Sequence, residues 1–254
     1  MYSILRGRCV SYWTLIIIIG AIMELQKTHK AIVNASTLYS DSKFTIRDVS
    51  NYKHRVLKPS TNIKLGKKVT KGKLKGMKMY TLTLIERETC TDECEHYNDC
   101  FGNNMPFAHR FSVNEAFMLR LESDIQETAR LNPLGFLVRL HILGDFESVE
   151  YVEFWNRMLY TYPNLHIYGY SRNHITSKYK HISAIGYKLI RVRTTHKERF
   201  AIRFSNKLDE EYSANSRDIT DKGITCLAQI KASVSCSDCT LCWSSKKAIG
   251  FITH

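Results

Sequence analysis

Seven of the eight cysteines of this chain fall into two groups whose spacing suits metal ligands. Thiolates bind zinc and hold iron–sulfur clusters, and both kinds of site draw several cysteines from a short stretch of chain. We call the N-terminal set the first cysteine group and the C-terminal set the second cysteine group. The members are Cys90, Cys94 and Cys100 in the first group, and Cys226, Cys236, Cys239 and Cys242 in the second. The sequence therefore predicts two metal or iron–sulfur sites.

The second cysteine group has the more specific spacing. Cys236, Cys239 and Cys242 form the run Cys-x2-Cys-x2-Cys, and Cys226 adds a fourth thiol from ten residues upstream. Three ligands from one tight loop and one remote ligand resemble the ferredoxin-like distribution that holds a four-iron (4Fe-4S) cluster. Zinc ribbons use two separate Cys-x2-Cys pairs, so zinc is the alternative cofactor, and disulfides or free thiols are a third alternative. Trp243 is expected to shield this site from solvent.

The first cysteine group has the pattern Cys90-x3-Cys94-x5-Cys100, with only three thiols. A structural zinc site needs a fourth ligand, for which the sequence offers His96 or His109. A four-iron cluster held by three cysteines leaves one iron open to a substrate or cofactor. An open ligand position therefore indicates a reactive centre, whereas a filled one indicates a structural site.

The composition indicates that the cysteines do not replace a missing core. With 254 residues and a hydrophobic fraction of 44%, the chain can bury a core without crosslinks. Its formal charge is +13, and between Leu25 and Tyr80 fourteen Lys or Arg face only Asp41 and Asp48. Such a segment attracts phosphates and predicts a nucleic-acid partner; the alternative is a solvated arm. Residues 1–60 are expected to form a hydrophobic leader and a basic, poorly ordered arm, and residues 61–254 a cysteine-rich α/β domain.

An uncharged run from Tyr12 to Met23 follows Arg6 and Arg8 near the N-terminus. It is shorter than the roughly 18 to 20 residues that cross a bilayer, and it has the length of a signal-peptide core. No convincing small-residue cleavage site follows it, and in an oxidising compartment the clustered thiols would become disulfides. We therefore expect translation to start at Met23 or the leader to be incidental, a cytoplasmic location, and no stable membrane partner.

Hydrophobic periodicity predicts alternating strands and helices along the domain. Ser112 and Glu115 form a capping-box pattern that starts a helix ending before Pro133, and Ser148 is expected to cap a second helix that stops at Pro163. The predicted strands are Met79–Ile85, Phe136–Leu143, Leu165–Tyr170, Tyr187–Val192 and Phe200–Phe204. This order predicts an α/β fold with a mostly parallel sheet and right-handed crossovers.

The predicted strands are polar on one face and apolar on the other, since residues two apart in a strand share a face. Arg139 and His141 align with Asp145, which follows Gly144 at the end of its strand. The polar positions of the other strands are His166, Tyr168, Tyr170, Arg191, Arg193, Arg203 and Ser205. A parallel sheet with helices on both faces is apolar on both. The pattern therefore predicts a curled partial (β/α) barrel with a polar, ligand-binding lumen; the alternative is an antiparallel sheet with one solvated face.

Several polar side chains could reach a ligand held by the first cysteine group. Those in the loop after its last cysteine are Asn103, Asn104, His109 and Arg110. The asparagines could instead serve turns. His141 is either a ligand or proton-transfer group or a core histidine, Tyr168 and Tyr170 either stack on an adenine or base or pack, and Trp155 is expected in the core.

The order of these features resembles the opening half of a radical S-adenosylmethionine barrel. A first strand, the first cysteine group, a helix and a second strand ending in Gly144-Asp145 carry the resemblance. It implies a four-iron cluster whose open iron is ligated by the amino and carboxylate groups of S-adenosylmethionine, with Gly144 and Asp145 holding the amino group. The superfamily usually has a shorter gap between its second and third cysteines, and an aromatic residue where this chain has Asp99.

The chain from about Asn62 to His254 is also similar to the bacteriophage gene product 88 family, uncharacterised cysteine-rich proteins of phages and prophages. The similar segments are residues 62–67 (NIKLGK), 100–110 (CFGNNMPFAHR), 144–146 (GDF) and 241–254, which begins LCW. The resemblance implies a phage or prophage origin, and hence the cytoplasm of a bacterial host. It brings no established reaction.

Two hypotheses from different functional classes follow. In the first, the chain is an enzyme: the first cysteine group holds a reactive cluster with S-adenosylmethionine, the second holds an auxiliary cluster, and the candidate catalytic residues are His141 and Asp145. Gly144, Asn103 and Asn104 would help to bind the cofactor. In the second, zinc or iron–sulfur sites stabilise a nucleic-acid-binding protein without catalysis. The basic stretch from Leu25 to Tyr80, which we call the Lys-rich segment, would then contact phosphates. The fourth ligand position of the first group discriminates between them.

Overall fold

The computed structural model describes residues 47–97, 100, 102, 105, 107–205, 211–217, 224–231 and 233–252. The leader, the start of the basic arm, Asn103 and Asn104 lie outside the described residues. The strands are β1 Lys58–Pro59, β2 Lys78–Thr81, β3 Phe136–Leu140, β4 Leu165–Ser171, β5 Phe200–Ser205, β6 Ser213–Arg217, β7 Ile224–Thr225 and β8 Ile249–Ile252. The helices are α1 Glu86–Thr89, α2 Glu115–Leu131, α3 Val149–Thr161, α4 Lys180–Thr195, α5 Leu227–Ile230, α6 Cys236–Cys239 and α7 Leu241–Ser244.

These strands form one open, mostly parallel sheet in the order β1-β2-β3-β4-β5-β6-β8-β7. β1 pairs antiparallel with β2, and the other pairings between the described strands are parallel. β2 to β5 lie side by side in chain order, and each connection between them contains one of the long helices α2, α3 and α4. The predicted α/β fold with a mostly parallel sheet is confirmed, and the antiparallel alternative is wrong.

The three long helices pack against one face of the sheet because each carries an apolar stripe at helical spacing. We call the resulting cluster the helix-side core. It includes Phe117, Leu121 and Ile125 of α2, Val152, Trp155 and Leu159 of α3, Ile185 and Leu189 of α4, and Val138, Leu140, Ile167 and Ile202 of the strands. The predicted core position of Trp155 is confirmed.

The starts of two long helices test the predicted capping residues. Asn114 Oδ1 accepts a hydrogen bond at 2.9 Å from a backbone N–H of the first turn of α2, which begins at Glu115. The capping prediction at Ser112 is therefore wrong, because Asn is as strong an N-cap as Ser and lies directly before the helix. Ser148 Oγ accepts from the Tyr151 backbone N–H at 3.1 Å, which confirms the predicted cap of α3.

The segment Tyr187–Val192, predicted as a strand, lies inside helix α4. The buried side chains of this helix are Ile182, Ile185, Leu189 and Val192. Their spacing of three and four residues is the helical period, which a six-residue window is too short to distinguish from alternation. Arg191 and Arg193 therefore belong to a helix and not to the polar face of the sheet.

The face of the sheet that carries the polar side chains is covered by residues from the range 224–252, which we call the C-terminal segment. We call the apolar cluster on this face the cysteine-side core. Its buried members include Leu137, Tyr168 and Ala201 of the strands, Leu65 and Val69 of the Lys-rich segment, and Cys226, Cys242 and Ile249 of the C-terminal segment. The face predicted to line a lumen is thus the face on which the second cysteine group lies.

Residues 47–60, assigned from sequence to the basic arm, pack against α2. Val56 and Leu57 are buried, and their backbone N–H groups donate to Asp124 Oδ2 at 2.6 and 3.0 Å. The part of the basic segment that the structure describes is therefore folded onto the domain. Within the described ranges, no helix has both the length and the apolar character needed to cross a bilayer.

Candidate metal centres

Two one-turn helices present three thiols of the second cysteine group. α6 carries Cys236 and Cys239, and α7 carries Cys242. Thr240 joins the two helices with a left-handed backbone at φ 62°. A capping box that begins at Ser235 fixes the start of α6. Three cysteines can therefore lie on one tight loop, as the Cys-x2-Cys-x2-Cys spacing predicts.

The four thiols of the second group lie close enough to repel one another when ionised. Burial raises the pKa of Cys236 to about 12, and Cys242, Cys226 and Cys239 contribute to the rise. Burial also raises the pKa of Cys226 and of Cys242, and each is raised further by another thiol of the group. Such mutual effects require short distances. A bound metal cation would relieve this repulsion.

Residues of the Lys-rich segment support this loop through their backbone. The Cys236 N–H donates to the carbonyl oxygen of Lys64 at 2.8 Å, and the Ser237 N–H donates to that of Leu65 at 2.9 Å. Glycine is required at position 66, where φ is +85°, because a Cβ on Gly66 would lie 2.1 Å from Ser237 Oγ. The segment therefore fixes the position of α6.

Arg203 of β5 holds the same loop from the sheet side. Its fully buried guanidinium donates to the backbone carbonyl oxygens of Cys242 at 3.0 Å, Lys247 at 2.9 Å, Leu241 at 3.2 Å, Ser213 at 3.2 Å, and Ser245. No carboxylate among the described residues forms an ion pair with Arg203. Burial lowers the pKa of Arg203, and Cys242 acts in the opposite direction. The sequence places Arg203 on the polar face but does not reveal this role.

Tyr168, Tyr170 and Trp243 form an aromatic wall beside the second group. Tyr170 Oη lies 2.8 Å from Cys242 Sγ, and the Tyr168 ring lies 4.7 Å from the Trp243 ring, measured between centroids. The Arg139 guanidinium lies 4.4 Å from the ring centroid of Tyr170 and 5.5 Å from that of Tyr168. Both tyrosines are therefore engaged in packing, which was the alternative to stacking on a base.

Cations lie near the thiols of the second group. Against the rise that burial causes, Arg203 and Arg139 lower the pKa of Cys242, and Lys64 lowers the pKa of Cys226. A site with four thiolates is strongly anionic whether it holds zinc or a four-iron cluster. The surroundings of the second group therefore favour the charge that such a site would carry.

The first cysteine group begins directly after the one-turn helix α1, which follows β2. Burial raises the pKa of Cys90 well above its ordinary value, and Asp145, Cys94, Cys100 and Glu86 raise it further. Cys94, Cys100 and Asp145 are therefore each near enough to Cys90 to act on its charge. The sequence predicts this proximity, because ligand sites of parallel sheets form outside the carboxyl ends of adjacent strands, here β2 and β3.

A buried ion pair organises the loop of the first group. Arg110 Nε lies 2.9 Å from Glu86 Oε2, and the two side chains are only 1% and 2% exposed. Arg110 also donates to the backbone carbonyl oxygens of Gly102, Met105 and Ala108, at 2.9, 2.9 and 3.1 Å. Arg110, predicted to reach a bound ligand, is instead committed to Glu86 and to this loop.

The histidines proposed as a fourth ligand differ in their surroundings. His109 Nδ1 lies 2.7 Å from Tyr52 Oη and 3.1 Å from Lys58 Nζ. The His109 ring is thus engaged with residues 47–60, which we call the N-terminal segment, and not with the thiols of the first cysteine group. His96 lies in the loop after Cys94 and stays a candidate.

Gly144 and Asp145 lie beside Cys90, as the sequence predicts. Gly144 has a φ of +87°, and a Cβ there would come within 2.6 Å of Thr89 Oγ1. Asp145 Oδ1 accepts from the next backbone N–H and Oδ2 from that of Arg172, both at 2.7 Å. Burial raises the pKa of Asp145 to about 6, and these hydrogen bonds oppose the rise. The Ser171 side chain is a third hydrogen-bond partner of Asp145. Because a carboxylate offers about four acceptor positions, Asp145 can accept one further donor.

His141 does not share a face with Arg139, contrary to the sequence prediction. β3 ends at Leu140, and the His141 ring lies in the helix-side core, 5.0 Å from the ring of Phe146 and 5.7 Å from that of Tyr151. Its Nε2 lies 3.1 Å from Tyr151 Oη. Burial lowers the pKa of His141 to about 3, so the ring is neutral. These surroundings are those of a core histidine, not of a group in a polar lumen.

A cavity of about 340 Å³ opens beside Cys90. Its acidic lining residues are Glu88, Asp92 and Glu147. Burial raises the pKa of Glu147, and Glu88 contributes to the rise. Because like charges repel, this lining disfavours a polyanion next to the first cysteine group.

The kind of metal that the two cysteine groups would bind is inferred from the chemistry of their donor atoms. None of the seven cysteines of the two groups forms a disulfide. Within the described ranges, no set of three or more His, Cys, Asp or Glu side chains is arranged so that it could hold a metal ion. Comparisons with models of protein families, with curated proteins and with solved structures found no match. The chemistry of the donors fits zinc or an iron–sulfur cluster, since thiolates are soft ligands.

Proposed function

We propose that this chain is a phage-type iron–sulfur protein in which each cysteine group holds a four-iron cluster. The observation that supports the proposal is that the thiols within each group raise one another's pKa, and that no disulfide joins them. Closure of the thiols around the metal would complete each site, as metal binding commonly orders its own ligands. Zinc is the alternative cofactor.

We further propose that the first group is the reactive centre of a radical S-adenosylmethionine-like enzyme. Three thiols leave one ligand position open, and Asp145 lies beside Cys90 with acceptor capacity for a cationic amino group. The cofactor supplies the radical chemistry when it is bound. Gly144 allows the close approach to Thr89 that positions Asp145. The sequential order of β2 to β5, with the long helices on one face, favours the partial (β/α) barrel that this proposal needs.

Metal analysis after anaerobic purification tests both proposals. Two four-iron clusters would give up to about eight irons per chain. Cys94→Ser should remove one cluster and Cys239→Ser the other, each leaving its counterpart intact. Colourless protein with stoichiometric zinc and no iron, even after cluster reconstitution, would exclude the iron–sulfur proposal. Loss of both metals in either variant would exclude two separate sites.

Nucleic-acid binding is a second candidate function, and a set of exposed lysines favours it. These are Lys64, Lys67, Lys68, Lys71, Lys73, Lys75 and Lys78. Among the described residues only Lys73 of this set forms an ion pair, with Glu198 at 3.2 Å. Affinity for a DNA duplex should fall by orders of magnitude as salt rises from about 50 to 200 mM, because phosphate contacts release counterions. Affinity that is independent of salt would exclude this function for the lysines.

A further inference from the structure

A cavity of about 430 Å³ lies between the N-terminal segment and the loop after the first cysteine group. Arg47, Lys53 and His54 line it from the N-terminal segment, together with Tyr52, and His109 lines it from the loop. We call this cavity the basic cleft. Neither the iron–sulfur proposal nor the exposed lysines account for it.

His109, which lines the basic cleft, holds Lys58 next to it. The ammonium group of Lys58, whose Nζ lies 3.1 Å from His109 Nδ1, can only donate, so Nδ1 is the acceptor of this contact. The neutral ring therefore carries its proton on Nε2. Lys58 also lies over the Tyr52 ring, 5.3 Å from its centroid. These contacts hold the Lys58 ammonium group beside Tyr52 and His109, two residues that line the cleft.

The cationic groups of the basic cleft lie within electrostatic reach of one another. Burial lowers the pKa of His109, and Lys58, Arg47 and His54 lower it further. In the described part of the chain, neither Arg47, Lys53 nor Lys58 forms an ion pair. The positive charge at this cavity is therefore not neutralised by paired carboxylates.

Asp48 is the acidic residue that lines the cleft, and its carboxylate serves the backbone turn that follows it. Asp48 Oδ1 accepts from the Ser50 backbone N–H at 2.9 Å, and Oδ2 accepts from Asn51 Nδ2 at 3.4 Å. Against this one carboxylate stand Arg47 and Lys53, which line the cleft, and Lys58, which contacts the lining residue His109. The cleft as a whole therefore attracts anions.

We propose that the basic cleft binds a phosphate group. Its donors come from two separate segments, so the ligand must present charge and acceptor oxygens on more than one side. A phosphate does this, whereas a carboxylate offers only two oxygens in one plane. Lys58 and His109 are half-buried and held by mutual contact, which distinguishes this site from the freely exposed lysines. The cavity beside Cys90 is lined by three carboxylates and His181, so its charge disfavours an anion.

Binding of two probes to the full-length protein tests the proposal: inorganic pyrophosphate by titration calorimetry, and a short labelled oligothymidylate by fluorescence anisotropy. Arg47→Gln and Lys58→Met should each weaken binding about tenfold, as expected for loss of a charged hydrogen bond. For the oligonucleotide, each change should also reduce the salt slope of log affinity by about one. Lys197→Met removes an exposed lysine that does not line the cleft, and should leave both affinities unchanged.

The outcomes separate two sources of phosphate. Cleft-dependent binding of pyrophosphate alone identifies a free phosphate compound as the ligand class, and cleft-dependent binding of the oligonucleotide identifies a polynucleotide backbone. Lys53→Gln changes an exposed side chain and therefore separates loss of binding from loss of folding. The proposal is overturned if the wild-type protein binds neither probe, or if Arg47→Gln and Lys53→Gln bind as Lys197→Met does.

Discussion

The two cysteine groups are each organised by a buried arginine, but the two arginines differ in their partners. Arg110, at the first group, pairs with Glu86 at 2.9 Å. Arg203, at the second group, donates to backbone carbonyl oxygens and has no carboxylate partner among the described residues. The charge of Arg110 is therefore neutralised inside its loop, whereas the charge of Arg203 acts on the neighbouring thiol of Cys242.

The charged residues around the thiols also differ between the two groups. Beyond the effect of burial, Asp145 and Glu86 raise the pKa of Cys90. Arg203 and Arg139 instead lower the pKa of Cys242 against the effect of burial. The carboxylates thus oppose an ionised Cys90, while Arg87 opposes the effect of Glu86 on the pKa of Cys100. In the second group, cations support an ionised Cys242. A closed site of four thiolates suits the second group, while the first group requires additional positive charge from a metal and a cationic ligand.

Arg110→Met should have the largest effect, and it tests the neutralised arginine of the first group. The change removes the cation that neutralises the buried Glu86 carboxylate, which is expected to lower the free energy of unfolding by about 3–5 kcal/mol. Urea denaturation measures this loss. The double variant Arg110→Met/Glu86→Leu removes both charges and should regain most of it. A loss below about 1 kcal/mol in the single variant would show that this ion pair does not organise the first group.

Acid should destabilise the fold through His141, which lies between β3 and Asp145. Its pKa is about 3 in the folded protein, below the ordinary 6.5, so the unfolded chain takes up the proton first as pH falls. Its contribution to stability is complete above about pH 6.5 and is lost toward pH 3, amounting to about 3 kcal/mol between roughly pH 7.5 and pH 4. His141→Gln cannot titrate and should flatten the pH dependence of unfolding by that amount. An unchanged pH profile would contradict the buried neutral imidazole.

Gly66→Ala tests the backbone support of the second group, with Gly72→Ala as the matched control. Both glycines have positive φ, +85° and +69°. A Cβ at Gly66 would lie 2.1 Å from Ser237 Oγ, whereas at Gly72 no atom lies within 4 Å. Gly66→Ala should therefore cost about 1–3 kcal/mol more than the control in thermal or urea unfolding, because it overpacks the contact with α6. Equal losses would show that segment 64–70 does not constrain the second group.

The elements with long amphipathic repeats could be predicted from the sequence. The strands β3, β4 and β5 and the helices α2 and α3 lie close to their predicted positions because their patterns extend over whole elements. Tyr187–Val192 is misassigned because six residues fit both the strand and the helix period. The proximity of Cys90 and Asp145 is predictable, since both follow adjacent parallel strands.

The contacts of the two buried arginines, Arg110 and Arg203, could not be predicted in the same way. Arg203 binds four carbonyl oxygens of residues 38 to 44 positions away and that of Ser213, ten positions away, and Arg110 binds Glu86 across 24 positions. Backbone carbonyls carry no sequence signature, so only the folded chain reveals these partners. The different charges around the two cysteine groups follow from these contacts, so they could not be predicted from the sequence either.

Arg139→Gln should have the smallest effect, and it tests directly whether cations that form no ion pair among the described residues support the second group. In a Cys94→Ser background, which disables the first group, the change should weaken zinc retention against a chelator about fivefold, or roughly 1 kcal/mol. Arg157→Gln, on the exposed side of α3, is the control and should retain zinc as the background does. If the two variants retain zinc equally, Arg139 does not stabilise the thiolates. The contrast with the acidic first group would then rest on Arg203 and Lys64 alone.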